Sequence, residues 1–264
     1  MFEQDMFTTE TATLSTGPVT YRKGGDGPAI LHIHGTAGPN HSTVLDDLAK
    51  RHTVYHPVAP GWDGTPRHDA VRSVSDLADV YADFIRTVIG GPCDVIGVSF
   101  GGWVALWLAV RHPNLVQQLV LEAPAGLRDP GTGGLPVDPD ELHRQTYARP
   151  DRAPPPARSK DAYWINRRLR DELGAGISLD QPLLEALPKI TARTLVLFGD
   201  RDQISPAMPA AHRMRLGIPH VHMTYIYNAA HALEFDQPEK LTALISAFFE
   251  RGEGFLVRSA AAAG

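Results

Sequence analysis

Residues 94–111 read DVIGVSFGGWVALWLAVR, and this stretch decides the fold. Asp94–Val98 is a short apolar run of the length of a buried strand, and Gly101–Arg111 is a longer apolar run of helical length. Between them stands Gly97-Val98-Ser99-Phe100-Gly101. A strand that turns at once into a helix puts its apex residue in a strained conformation, and neighbours without Cβ let the turn close. That apex is Ser99. Its hydroxyl is then exposed at the carboxyl end of the strand, beside helix amides that favour a developing negative charge. The pattern G-x-S-x-G between a strand and a helix marks Ser99 as a candidate nucleophile.

Working outward, short apolar runs alternate with helical patterns on both sides. Upstream, Val19–Arg22 and Ala29–His34 read as strands separated by Gly24-Gly25-Asp26-Gly27-Pro28, followed by a helix over Ser42–Lys50 and a strand over Thr53–Val58. Ser75 is the expected N-cap of a helix running to about Ile89, which Gly90-Gly91-Pro92 stops. Downstream, Leu119–Glu122, Thr194–Phe198 and Met223–Tyr227 read as strands and Pro238–Glu250 as the last helix. This alternation predicts an α/β fold, a mostly parallel central sheet flanked by helices. The rhythm lapses from residue 125 to 188, where polar helix candidates such as Ala162–Leu173 lie among Gly131-Thr132-Gly133-Gly134 and Pro154-Pro155-Pro156. A segment this long with its own helices reads as an inserted helical cap, with 1–124 and 189–264 forming the core domain. The ending Ser259–Gly264 reads as a frayed tail.

Composition sets the outer limits. The chain has 264 residues, of which 43% are hydrophobic and 21% charged, with 25 Lys and Arg against 30 Asp and Glu for a net charge of −5. That apolar share can bury a large core. The mildly acidic balance argues against nucleic acid as a partner. A single cysteine, Cys93, excludes an internal disulfide and a multi-thiolate metal site. No run approaches the roughly 20 apolar residues of a membrane span, and Met1–Thr16 is polar and acidic, unlike a signal peptide. A cytoplasmic protein acting on a small-molecule substrate is expected, with no membrane partner and a homodimer as its assembly.

Four anchors spread along the chain resemble the α/β-hydrolase fold with an inserted cap: His34-Gly35-Thr36-Ala37-Gly38, Gly97–Gly101, Gly199-Asp200-Arg201-Asp202, and His231 ahead of Asp236-Gln237-Pro238-Glu239. Their order, nucleophile then acid then base, is the order that fold uses. The resemblance implies a cap inserted after the sixth strand and a catalytic set of Ser99, Asp202 and His231. Position after the last strand separates His231 from the other histidines. For the acid, Asp200 and Asp202 compete after the strand Thr194–Phe198; the resemblance to a G-x-x-D turn selects Asp202, with Glu122 as a lesser candidate one strand earlier. The same likeness gives the oxyanion donors as the backbone amides of Thr36 and Phe100.

Other signals carry less. His32-Ile33-His34 puts two imidazoles on one strand face, but Thr36 stands where a metal-binding pattern would want a carboxylate, so no metal is expected. Trp103 and Trp107, four apart on an apolar helix, read as core. Trp62 in a loop at the sheet edge and Trp164 in the cap are pocket candidates. Between Arg144 and Arg170, eight basic side chains face only two acidic ones. The bland reading is a solvated surface; the functional one has Arg167, Arg168 or Arg170 holding a substrate carboxylate. The expected activity is cofactor-free serine hydrolysis of a small carboxylic ester. The alternatives are a C–C bond hydrolase acting on a vinylogous diketone acid and a non-hydrolytic ligand-binding protein of the same fold.

Overall fold

The computed structural model describes residues 6–256; the tail Ser259–Gly264 lies outside them. Eight strands form one sheet: β1 (Phe7–Leu14), β2 (Gly17–Gly24), β3 (Ala29–Ile33), β4 (Thr53–Pro57), β5 (Cys93–Val98), β6 (Val116–Glu122), β7 (Arg193–Gly199) and β8 (Val221–Ile226). Their order is β1-β2-β4-β3-β5-β6-β7-β8, antiparallel in the first two pairings and parallel from β4 onward. Strands β3, β5, β6 and β7 read as near-continuous apolar runs because helices cover both of their faces. One face packs on α2 (Val74–Phe84) and α3 (Phe100–Arg111), the other on α1 (Thr43–Ala49) and α9 (Pro238–Arg251). The strand β5 lies centrally, so whatever its carboxyl end presents is flanked by the ends of β3 and β6.

Two local readings change. The stretch Phe7–Leu14, to which the sequence reading assigns no strand, is the edge strand β1, paired residue by residue with β2 from Phe7↔Gly24 to Leu14↔Gly17. Its Thr-rich middle faces solvent and only Phe7 and Leu14 are buried, so no apolar period marks it, although threonine's branched Cβ suits an extended backbone. The N-cap of α2 is Ser73 rather than Ser75. Its Oγ accepts from the Asp76 amide at 3.1 Å, the geometry an N-cap requires, while Ser75 lies inside the first turn.

Between β6 and β7 the chain forms α4 (Pro139–Thr146), α5 (Lys160–Leu173) and α6 (Gln181–Ala186). A bridge between Leu127 and Leu179 closes the base of this segment. Leu183, Ala186 and Leu187 belong to the main hydrophobic cluster, so the last part of 125–188 packs as core and not as cover. Asp180 fixes that junction. Its Oδ2 accepts from the indole nitrogens of both Trp103 and Trp107 at 2.8 Å, and its Oδ1 accepts from the Leu183 amide. Asp180→Ala strands a buried indole donor and uncaps α6, and is expected to lower unfolding stability by about 2–4 kcal/mol in a denaturant titration. A loss below about 0.5 kcal/mol would show that the two tryptophans are held by packing alone.

Candidate active site

The elbow forms where the sequence places it. Ser99 has φ 53° and ψ −111°, a left-handed backbone position forced on a residue with a Cβ. Two glycines make it accessible. A Cβ on Gly97 would lie 2.6 Å from the Gly101 carbonyl oxygen, and one on Gly101 would lie 2.1 Å from that of Ile33. The Ser99 amide donates to the Glu122 carbonyl at 2.8 Å, tying the apex to the end of β6. Helix α3 begins at Phe100, so its first amides surround the Ser99 side chain.

Three side chains from three loops meet there. Ser99 Oγ lies 2.9 Å from His231 Nε2, and His231 Nδ1 lies 2.8 Å from Asp202 Oδ2. A carboxylate only accepts, so the His231 proton sits on Nδ1 and Nε2 is free to accept from Ser99. Asp202 Oδ1 accepts from the amides of Ile204 and Ser205 at 2.8 and 2.9 Å. Burial alone would push the Asp202 carboxyl up, but His231 and these amides outweigh it, and the group is held below the usual carboxylate range. This arrangement can move a proton from a hydroxyl to an imidazole and stabilise the resulting imidazolium.

The rival acids are not bonded to His231. Asp200 is exposed, and its Oδ1 accepts from the Ala229 amide at 3.3 Å, which pins the loop ahead of His231. Glu122 is buried, and among the described residues neither carboxyl oxygen is bonded. Asp236 has a bracing part: its carboxylate accepts from the amides of Ala230 and Ala148, joining the histidine loop to the segment after α4.

The loop after β3 is held through its own carbonyls. The Thr36 carbonyl accepts from Trp62 Nε1 at 3.1 Å, that of Ala37 from Asn166 Nδ2 at 3.0 Å, and that of Pro39 from Arg158 at 3.3 Å. Arg158 and Asn166 also converge on Asp63. His34 braces the loop: its Nδ1–H donates to the Gly35 carbonyl, its Nε2 accepts from the Ala59 amide, and burial pulls its pKa down to about 4. Thr36 thus reaches the cavity on a fixed backbone, and Phe100 opens α3 directly after Ser99.

A cavity of about 490 Å³ opens over Ser99 and His231, walled by Thr36, Leu135, Leu142, Tyr147, Trp164 and Phe235 among others. Trp164 lines it as expected of a pocket residue. Trp62 does not: it is fully buried, stacked on Phe100 at 5.7 Å between ring centroids, and acts on the pocket only through the Thr36 carbonyl. Arg167 and Arg168 are also outside the lining. The Arg167 guanidinium donates to the Leu135 and Pro136 carbonyls and lies over the Trp164 ring, while Arg168 faces solvent. Helical spacing puts Arg167 on the same side of α5 as Tyr163 and Trp164; what keeps it out of the lining is the pair of carbonyls, Leu135 and Pro136, that take its guanidinium. The basic residues that do line the cavity are Arg158 and Lys160. Sequence reasoning missed these, and it missed His32 with Glu234, whose 2.9 Å contact joins positions far apart in the chain.

Among the described residues no helix is long and apolar enough to cross a membrane. The model of the Alpha/beta hydrolase family matches residues 30–244. The pimeloyl-[acyl-carrier protein] methyl ester esterase of Neisseria meningitidis serogroup B is 31% identical over 255 residues, covering 84% of this chain and 93% of that one. The 2-hydroxymuconate semialdehyde hydrolase of Pseudomonas sp. (strain CF600) is 36% identical over 120 residues, 42% of this chain and 41% of the other. The crystal structure of a serine hydrolase from Cycloclasticus zankles matches with a TM-score of 0.76 at 19% identity, covering 96% of this chain and 100% of that one, a likeness of fold alone.

Proposed function

Since the chain belongs to the Alpha/beta hydrolase family, we propose that it is a serine hydrolase that cleaves a small carboxylic ester through an acyl-enzyme. The observation that carries this reading is the continuous hydrogen-bond path from Ser99 Oγ through His231 to Asp202 at the floor of the cavity. Ser99 Oγ attacks the ester carbonyl while His231 Nε2 takes its proton. The carbonyl oxygen becomes an oxyanion, held by the amides of Thr36 and Phe100; one such donor contributes about 2.7–4 kcal/mol to the transition state. When the C–O bond breaks, His231 returns the proton to the leaving alcohol. Water then gives a proton to His231 and attacks the acyl carbon, the Ser99 Oγ–C bond breaks, and Oγ recovers the proton as the acid departs. The cavity wall formed by residues from 125–188 acts as a cap that excludes bulk water from these charges.

The esterase relative supports the ester as substrate, and the partial likeness to a semialdehyde hydrolase keeps carbon–carbon cleavage as the second reading. Steady-state turnover of p-nitrophenyl and methyl esters of short acids, set beside a vinylogous diketone acid, separates them. Ester kcat/KM is expected in the range of about 10⁴ M⁻¹s⁻¹ or above. Turnover of the diketone alone would move the assignment to the C–C hydrolases, and turnover of neither would overturn hydrolysis altogether.

A further inference from the structure

The sheet face that carries α1 and α9 ends, at its carboxyl edge, in polar side chains. Residues two apart share a face, so His32, His56 and Glu122 project beside the apolar positions Ile30, Val54 and Val120. The short helix α8 (Leu233–Asp236) adds Glu234, whose Oε1 lies 2.9 Å from His32 Nε2. The His32 and His56 rings meet edge-on at 4.6 Å. His32, Glu122 and Glu234 line the same cavity as Ser99 and His231.

Donors and acceptors do not balance here. Glu122 is 1% exposed, and neither carboxyl oxygen has a hydrogen-bond partner among the described residues. His32 Nε2 is engaged with Glu234, and its Nδ1 too is buried without a partner among the described residues. A buried polar group left unmet is unfavourable. Burial, and then the charge of Glu234, push the Glu122 carboxyl well above the usual carboxylate range. The other charged groups around the cavity are engaged or distant in role: Asp202 with His231, Arg158 with Asp63, and Lys160 exposed on the α5 side. Nor are these side chains grouped as metal ligands, since no three His, Cys, Asp or Glu among the described residues form such a set.

We propose that Glu122, flanked by Glu234 and His32, is a subsite for a primary ammonium group carried by the substrate. The word substrate rests on the hydrolase reading; the subsite itself does not. An ammonium brings three N–H donors and one positive charge, which meets the unpartnered acceptors and the electronegative end of the cavity together. A hydroxyl brings one donor and no charge, and a carboxylate brings neither. On binding, Glu122 releases its proton to solvent and becomes the counter-ion.

Calorimetry with hexylammonium and 1-hexanol, probes of equal chain length, reads the subsite directly. Turnover of p-nitrophenyl 6-aminohexanoate against p-nitrophenyl hexanoate reads it through the reaction. Hexylammonium is expected to bind about tenfold or more tightly than the alcohol, and the amino ester to have the higher kcat/KM. Glu122→Leu and the isosteric Glu122→Gln should each reduce both preferences by about tenfold. Equal binding of the two probes, tighter binding of the alcohol, or a preference that survives in both variants overturns the proposal. If neither ester is turned over while the Glu122-dependent preference remains, the subsite stands and the hydrolase reading falls. If the plain ester is turned over and the preference is missing, only the subsite falls.

Discussion

Ser99→Ala is expected to lower kcat by roughly five to six orders of magnitude, leaving only the acceleration that binding and oxyanion donors supply. The size follows from what is removed. No other atom at the apex can form the acyl bond, and His231 Nε2 loses its only hydroxyl partner there. The fold should not notice. Alanine keeps the Cβ that already sits at φ 53°, and the backbone bonds of residue 99 to Glu122 and Ala125 are untouched. The melting temperature should stay within about 2–4 °C of the wild type. A fluorophosphonate should label the wild type stoichiometrically and the variant not at all. Full turnover in a folded Ser99→Ala protein would remove the covalent mechanism.

The second large effect belongs to Asp202→Asn, expected to cost about 10⁴-fold in kcat with KM little changed. An amide at this place can keep one oxygen on the Ile204 and Ser205 amides and turn its NH₂ toward His231 Nδ1. Nδ1 must then accept, so the imidazole proton moves to Nε2 and faces Ser99, where an acceptor is needed. Asp200→Asn, at a carboxylate that accepts from the Ala229 amide, should change kcat by less than about tenfold. A larger loss from Asp200 than from Asp202 at equal stability would reverse the assignment. Stability offers a second readout. The folded Asp202 carboxyl is held below its unfolded value, so its contribution is present above the unfolded pKa and is lost as pH falls through the carboxylate range. The asparagine variant should lack that part of the acid sensitivity.

How much of this was legible in the sequence depended on the range of the interaction. The elbow was readable because every cause of it is local: a strand, two glycines and a helix within a few residues. The alternation of strands and helices puts Asp202 and His231 in loops after strands, but choosing them among the other acids and histidines took the resemblance to the α/β-hydrolase pattern. The edge strand β1 was not readable, because its polar middle needs no apolar period. Trp62 was taken for a pocket residue because a loop position at the sheet edge does not reveal direction; its indole turned inward to stack on Phe100 and reach the Thr36 carbonyl. The basic run of 144–170 could be counted but not oriented. Only the fold shows Arg167 committed to the Leu135 and Pro136 carbonyls, and Arg158, a residue that counting did not separate from its neighbours, committed to Asp63.

Within the stretch between β6 and β7, α4 buries no residue and is open to replacement by a different length or composition, whereas Leu169, Leu173 and Leu183 belong to the main hydrophobic cluster. The stretch is tied to the reactive loops by Arg158 and Asn166 on the carbonyls of Pro39 and Ala37, by the Ala148 amide on Asp236, which also holds the residue before His231, by the Thr146 carbonyl on the Ala232 amide, and by the Gly134 amide on the Ile204 carbonyl. A transplanted cover that reproduced the shape of the cavity but not these attachments would inherit the serine, the histidine and the acid without the backbone that aims them. Exchange of specificity by swapping this segment therefore has to keep an arginine, an asparagine and the three backbone contacts at residues 134, 146 and 148, whatever else varies.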